Sequence, residues 1–195
     1  MQQEIAAVAA GLVVEEGLEY GPAKQRAVRQ LGLPARTPLP GNDVLEDAVF
    51  DYIAVFCADT QPAELRALRR LALQWMERLQ RFEPHLSGAV WHGSATRLSD
   101  IYLQLFCEDP KSAEIALIDL GVNYEVRNVR GLYRETIETL SFSVICRELG
   151  ETVGIHLSIY DLDDLRGALV RDSKNRPPRG NLNAIKRILS DKDRC

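Results

Sequence analysis

The 195 residues contain only four cysteines, at 57, 107, 146 and 195, and no two are close enough for a zinc knuckle or a dithiol redox pair. Three of them sit in apolar runs, so they read as small buried hydrophobes in a reducing compartment. No apolar run approaches the roughly eighteen residues of a membrane span. The N-terminal run "IAAVAAGLVV" has no basic residue before it, and Glu15 and Glu16 follow, whereas a secretory leader needs the opposite flank. These absences point to a cytoplasmic protein with no membrane association. No serine has a nucleophile-elbow context, because "HGSAT" lacks the second flanking glycine. No cysteine has an evident histidine partner, the glycine of "RGN" near 180 is too isolated for a phosphate loop, and no internal repeat or low-complexity segment occurs.

The net charge of −4 argues against a general nucleic-acid binder, yet it conceals an asymmetry. From residue 171 onward there are eight Lys or Arg against three Asp or Glu, so an acidic body carries a basic tail. A composition of 46% hydrophobic and 27% charged residues is that of a globular chain with one substantial core or two small ones.

Hydrophobic spacing predicts helices over 3–16 and 22–31, a proline-rich connector "GLPARTPLPGN", and a third helix from Asn42 to about Cys57 with acids in its early turns. Thr60 then caps a long helix in which Leu65, Leu68, Ala72, Trp75, Leu79 and Phe82 form a seam. Its outer face is predicted to bear Arg66, Arg69, Arg70, Arg78 and Arg81, with the acidic third helix or solvent as neighbour.

After "PHLSG" the period changes. "AVWHG" reads as a short strand, "DIYLQLF" as a second, "EDPKSAEIALIDLG" as a helix and "YEVRNV" as a third strand. "TIETLSFSVI" fits either strand or helix, and "VGIHLSIYDL" is the clearest strand. Strand, helix and strand in succession imply a parallel pair with a crossover helix. A short helix at 162–169, a loop and a final helix at 181–190 complete the chain. The fold class is therefore α/β (α+β): a helical region 1–85, a mixed-sheet domain 86–170, and a basic loop and helix 171–195.

Strand alternation sorts the polar residues. Asp100, Tyr102 and Gln104 point one way, opposite to Ile101, Leu103 and Leu105, and His156, Ser158 and Tyr160 do the same in "IHLSIY". Were the two strands neighbours, these polar residues would share one side of the sheet, which is the candidate site.

"HGSATRLSDIYLQLF" resembles the nucleotidyltransferase superfamily typified by DNA polymerase β, in which a Gly-Ser turn precedes a strand opening Ser-Asp-Ile. The resemblance covers residues 88–106 well and 152–164 loosely. It implies that Gly93 and Ser94 meet a phosphate, that Arg97 and Tyr102 are further nucleotide or phosphate contacts, and that Asp100 is the first metal-binding carboxylate, with a magnesium ion as cofactor. Tyr102 stands where the second carboxylate belongs. The third would fall near His156, where no acid is present, and Asp161, Asp163 and Asp164 follow only after the strand. One carboxylate cannot organise the two ions of in-line phosphoryl transfer. The reading is therefore a domain of this ancestry, with Asp100 and His156 as catalytic candidates and its catalysis lost or altered, that binds a nucleotide or another phosphorylated ligand.

Other readings stay open. The turn and strand are also compatible with an ordinary turn and a capping Asp. A non-enzymatic module would use the charged helices over 43–82 to bind a protein partner. RNA contact would run through Lys24, Arg26, Arg29 and the tail. His85 follows a proline in a loop and carries no signal, and His92 beside Trp91 is ambiguous.

Overall fold

The computed structural model describes residues 1–132 and 135–192. Contacts divide the chain into two compact units: Met1–Leu65 with the returning segment Ser94–Leu98, and Arg66–Gly93 with the residues from Ser99 onward. The division falls inside the long fourth helix rather than near residue 85. From Arg66 on, that helix belongs to the unit that holds the sheet, and its Trp75 lies 4.7 Å from Phe142 of the sheet, ring centroid to ring centroid.

In the first unit α1 (Gln2–Glu16) packs against α2 (Tyr20–Gln30) and α3 (Asn42–Phe56). Ile5, Ala9, Ala10, Ala27, Leu45 and Val49 form the core, its alanines allowing close approach of the helices. Lys24, expected among exposed cations, is buried, and its Nζ donates to Pro40 O at 3.0 Å and to Asn42 Oδ1 at 2.7 Å. It ties the connector to the start of α3. Arg26 pairs with Glu16. Two of the three cations proposed for RNA on this helix thus have partners within the unit.

The second unit holds the rest of α4 (Gln61–Arg78), then β1 (His85–Ser87), α5 (Gly88–His92), β2 (Ile101–Cys107), α6 (Pro110–Asp119), β3 (Glu125–Arg130), β4 (Thr136–Cys146), β5 (Glu151–Asp161), α7 (Leu165–Ala168), β6 (Arg179–Asn181) and α8 (Leu182–Lys192). The fold is mixed α/β, as the patterning predicts, and no helix among the described residues is long and apolar enough to cross a membrane. The sheet order is β3-β4-β5-β2-β1-β6, and among these pairings only β2 and β5 are parallel.

Three expectations change. "AVWHG" is not a strand. The strand is "HLS", one step earlier, and the next five residues coil into α5, which Gly93 closes at φ 101. The undecided "TIETLSFSVI" is strand β4, bracketed by β3 and β5. The parallel partner of β2 is β5, not β3, because the hairpin of β4 and β5 fills the space between the strands that α6 connects.

One face of the sheet is apolar. Leu86, Ile101, Leu103, Leu105, Leu140, Ile155 and Leu157 are all fully buried, and α6 packs against β2 and β5. Asp109 caps α6 by accepting the backbone N–H of Lys111 at 3.0 Å, with Pro110 suited to the first turn. The opposite face is polar over β2, β5 and β4 and closes at one end over a small cluster of Phe106, Tyr160, Ala168, Ile137 and Leu165.

The arginine stripe of α4 is not a uniform outer face. Arg69 is buried and donates from Nε to Val90 O and from Nη2 to Trp91 O, both at 3.0 Å. Arg70 pairs with Glu148, Arg78 lies over the Trp75 ring and Arg81 over Phe82.

Candidate functional site

Parallel register places Tyr102 beside His156 and Gln104 beside Ser158, while antiparallel register places Ser141 on the other side of His156 and Thr139 beside Ser158. Residues directly across a ladder share a face. Asp100, just before β2, therefore joins Tyr102, His156 and Ser141 on one half-exposed surface, and three of these, Asp100, Tyr102 and His156, are the residues that strand alternation places on one side in the sequence.

Their geometry is a hydrogen-bonded chain. Asp100 Oδ1 accepts the backbone N–H of Gly154 at 3.0 Å, and Asp100 Oδ2 lies 3.0 Å from His156 Nε2. On the far side of the ring, His156 Nδ1 lies 2.8 Å from Ser141 Oγ. The Tyr102 ring stacks on the imidazole with centroids 4.8 Å apart and planes 24° from parallel. An ionised carboxylate only accepts hydrogen bonds, so the Nε2 proton points at Asp100. In the neutral ring Nδ1 is then the acceptor for the Ser141 O–H.

The hydrogen bond from His156, above all, holds the Asp100 carboxyl below the usual carboxylate range, with help from the Gly154 N–H and against the opposing effect of burial. A carboxyl depressed on folding adds stability that is present above its unfolded value of about 3.9 and is lost as pH falls through the folded value. In acid titrations of unfolding, Asp100→Asn should therefore lose part of the decline below about pH 4; an unchanged acid limb would mean that the pairing contributes nothing to stability.

Gly154 makes the chain possible. A Cβ at this position would lie 2.7 Å from the Asp100 carboxylate atoms. Gly154→Ala should push the carboxylate off both partners and destabilise by about 2 kcal/mol, the range for one overpacked contact plus a lost charged hydrogen bond. A denaturant midpoint equal to that of the parent would show that Asp100 can be accommodated elsewhere.

The next row of the same face carries His85, Gln104, Ser158 and Thr139. His85, which the sequence passes over, is buried, with Nδ1 2.8 Å from Glu83 O and its ring edge-on to Phe106. Burial pushes its pKa down. Thr139 Oγ1 and Ser158 Oγ are 3.3 Å apart. The side-chain carbonyl oxygen of Gln104 is buried without a hydrogen-bond partner among the described residues.

The Gly-Ser turn is built differently from the phosphate cradle the resemblance implies. Gly93 N–H is used in closing α5, donating to Ala89 O at 2.8 Å. Ser94 is 3% exposed, and its hydroxyl has no hydrogen-bond partner among the described residues. Within the first unit, Gln61 Nε2 donates to Ala95 O at 2.8 Å, and the backbone N–H of exposed Arg97 donates to Glu64 at 3.0 Å. Ser94 and Arg97 belong to the first unit, whereas Gly93, Asp100, Tyr102 and His156 belong to the second.

The donor set does not fit a pair of magnesium ions. Both Asp100 oxygens already accept hydrogen bonds, Tyr102 replaces the second acid, and no three His, Cys, Asp or Glu side chains converge among the described residues. Sequence reasoning missed Ser141 and Gly154. The signal for Gly154 was a glycine inside a strand, which marks close approach by another group. Ser141 became visible only once β4 was a strand. The chain matches no family model, no curated protein and no solved structure.

Proposed function

We propose that the second unit is a nucleotidyltransferase-like domain whose polar sheet face binds a nucleotide or another phosphorylated ligand, its two-metal catalysis lost or altered because two of the three expected carboxylates are absent. The observation that carries this reading is the Asp100–His156 contact beside Tyr102, on the strand pair that the motif resemblance singles out. Asp100 retains lone pairs, so a magnesium ion bound there would be single and weakly held, supplying charge to a phosphate and not a two-metal mechanism.

A thermal-shift series with nucleoside triphosphates, with and without magnesium or manganese, tests the reading. A ligand that binds only the folded state adds about 2.7 kcal/mol at a hundred times its dissociation constant. Expected is a shift with at least one nucleotide that Asp100→Ala reduces in calorimetric titration. Equal nucleotide affinity in Asp100→Ala would remove the site assignment, and no shift with any nucleotide would remove the function.

The alternative, a non-enzymatic interaction module, draws support from exposed apolar residues on α6, where Ile115 is 54% and Ile118 62% accessible. It draws little from the arginine stripe, in which Arg69, Arg70, Arg78 and Arg81 have partners within their own unit. Charge reversal at Arg70 and Arg78, with Arg69 left intact, is the variant that examines that stripe; an unchanged set of captured partners counts against it.

A further inference from the structure

We infer that Ser141 is a base-activated nucleophile that accepts an acyl group from an activated carboxylic ester. This goes beyond nucleotide binding and does not depend on it, because a neutral ester needs no phosphate site. The argument rests on the order of the chain. A nucleophilic hydroxyl, an imidazole and a carboxylate follow one another with gaps of 2.8 and 3.0 Å, which is the nucleophile, base and orienting group that activate serine on unrelated folds. Here the imidazole is used the other way round, with Nδ1 toward the serine and Nε2 toward the acid, and either ring nitrogen acts as a base when the other carries the proton. Asp100 is itself held by the Gly154 N–H, and the stacked Tyr102 limits rotation of the ring.

The step balances without a metal or an oxidant. Ser141 Oγ attacks the ester carbonyl carbon while its proton passes to His156 Nδ1. The new Oγ–C bond forms, the bond from carbon to the leaving oxygen breaks, and the proton on Nδ1 goes to the departing alkoxide. Water, deprotonated in turn by His156, then cleaves the acyl-serine to acid and free Ser141. Strand β4 pairs on both sides, so its backbone N–H groups are committed to the ladders and do not form an oxyanion hole. The reaction is accordingly limited to esters with good leaving groups, and deacylation is slow enough for acyl-protein to accumulate.

The test is to incubate the full chain with p-nitrophenyl acetate, follow nitrophenolate release, and map acetyl groups by peptide mass spectrometry. Expected is acetyl on the peptide carrying Ser141, absent in Ser141→Ala and retained as a thioester in Ser141→Cys. Asp100 is a positioning residue. Asp100→Asn offers an amide N–H to Nε2, turns the ring to the tautomer with its proton on Nδ1, and should slow acetylation of Ser141 by a thousandfold or more, roughly as the same change does in serine proteases. His156→Gln serves the same purpose should the Asn variant unfold. A merely structural chain would shift the unfolding midpoint of these variants without governing acetylation. Ser141 unlabelled in the parent protein, or labelled at equal rates in a folded Asp100→Asn variant, overturns the inference. Failure of every nucleotide to bind leaves this result standing, so the two readings fail separately.

Discussion

Arg69→Ala should destabilise the second unit by about 3 kcal/mol, the loss of two charge-assisted hydrogen bonds with their carbonyls left buried. The guanidinium sits at the C-terminal end of α5, where the last carbonyls of a helix have no partner in the helix and carry partial negative charge. Nε and Nη2 reach Val90 O and Trp91 O at the same 3.0 Å, a forked contact that only arginine makes. Burial pushes the Arg69 pKa down, though not far enough to deprotonate a guanidinium. Relief of that burial offsets part of the loss, which is why the expected cost is no larger. Arg69→Lys should recover less than half of it, because a point charge serves one carbonyl well. Chemical unfolding measures both, and a loss below about 1 kcal/mol for Arg69→Ala would mean that α5 holds its place without the cap.

The same residue shows where sequence patterning stopped. Spacing of three and four finds the seam of α4 and assigns every arginine outside it to the outer face, yet Arg69 directly follows Leu68 and reaches sideways to an element read as a strand. Five residues are too few to separate a turn of helix from a strand by period, and the partner that settles the matter lies 21 positions away. The crossover was misread for a similar reason. Local pattern gives strand, helix and strand, but which strand lies beside β2 depends on the later hairpin of β4 and β5.

The polar face was more legible. Alternation by two is local and unambiguous in "DIYLQLF" and "GIHLSIY", so Asp100 and His156 fall on one side as soon as β2 and β5 are adjacent. Ser141 was hidden because "TIETLSFSVI" satisfies both periods until a neighbouring strand fixes it. Burial of Ser94 was hidden more deeply. A Gly-Ser turn before a strand looks open in sequence, and only long-range contacts such as Gln61 to Ala95 reveal the turn folded inward.

Gly180→Ala is the second large effect, at about 3 kcal/mol, the upper part of the range for overpacking a filled site. Gly180 pairs with Leu86 on the apolar side of the sheet, and a Cβ there would come within 2.1 Å of the Trp91 ring. A flexible side chain would swing away at small cost. Trp91 has little freedom to do so, since its Nε1 donates to Pro177 O at 2.7 Å and its own carbonyl is held by Arg69. Accommodation therefore requires β6 or α5 to shift, and β6 is three residues long and, among the described residues, pairs with β1 alone. The origin of the loss is separable by a double-mutant cycle. In a Trp91→Leu background the added methyl has room, so the same Gly180→Ala change should then cost less than about 1 kcal/mol. Equal losses in both backgrounds would place the strain in the backbone of β6 instead of in the indole above it.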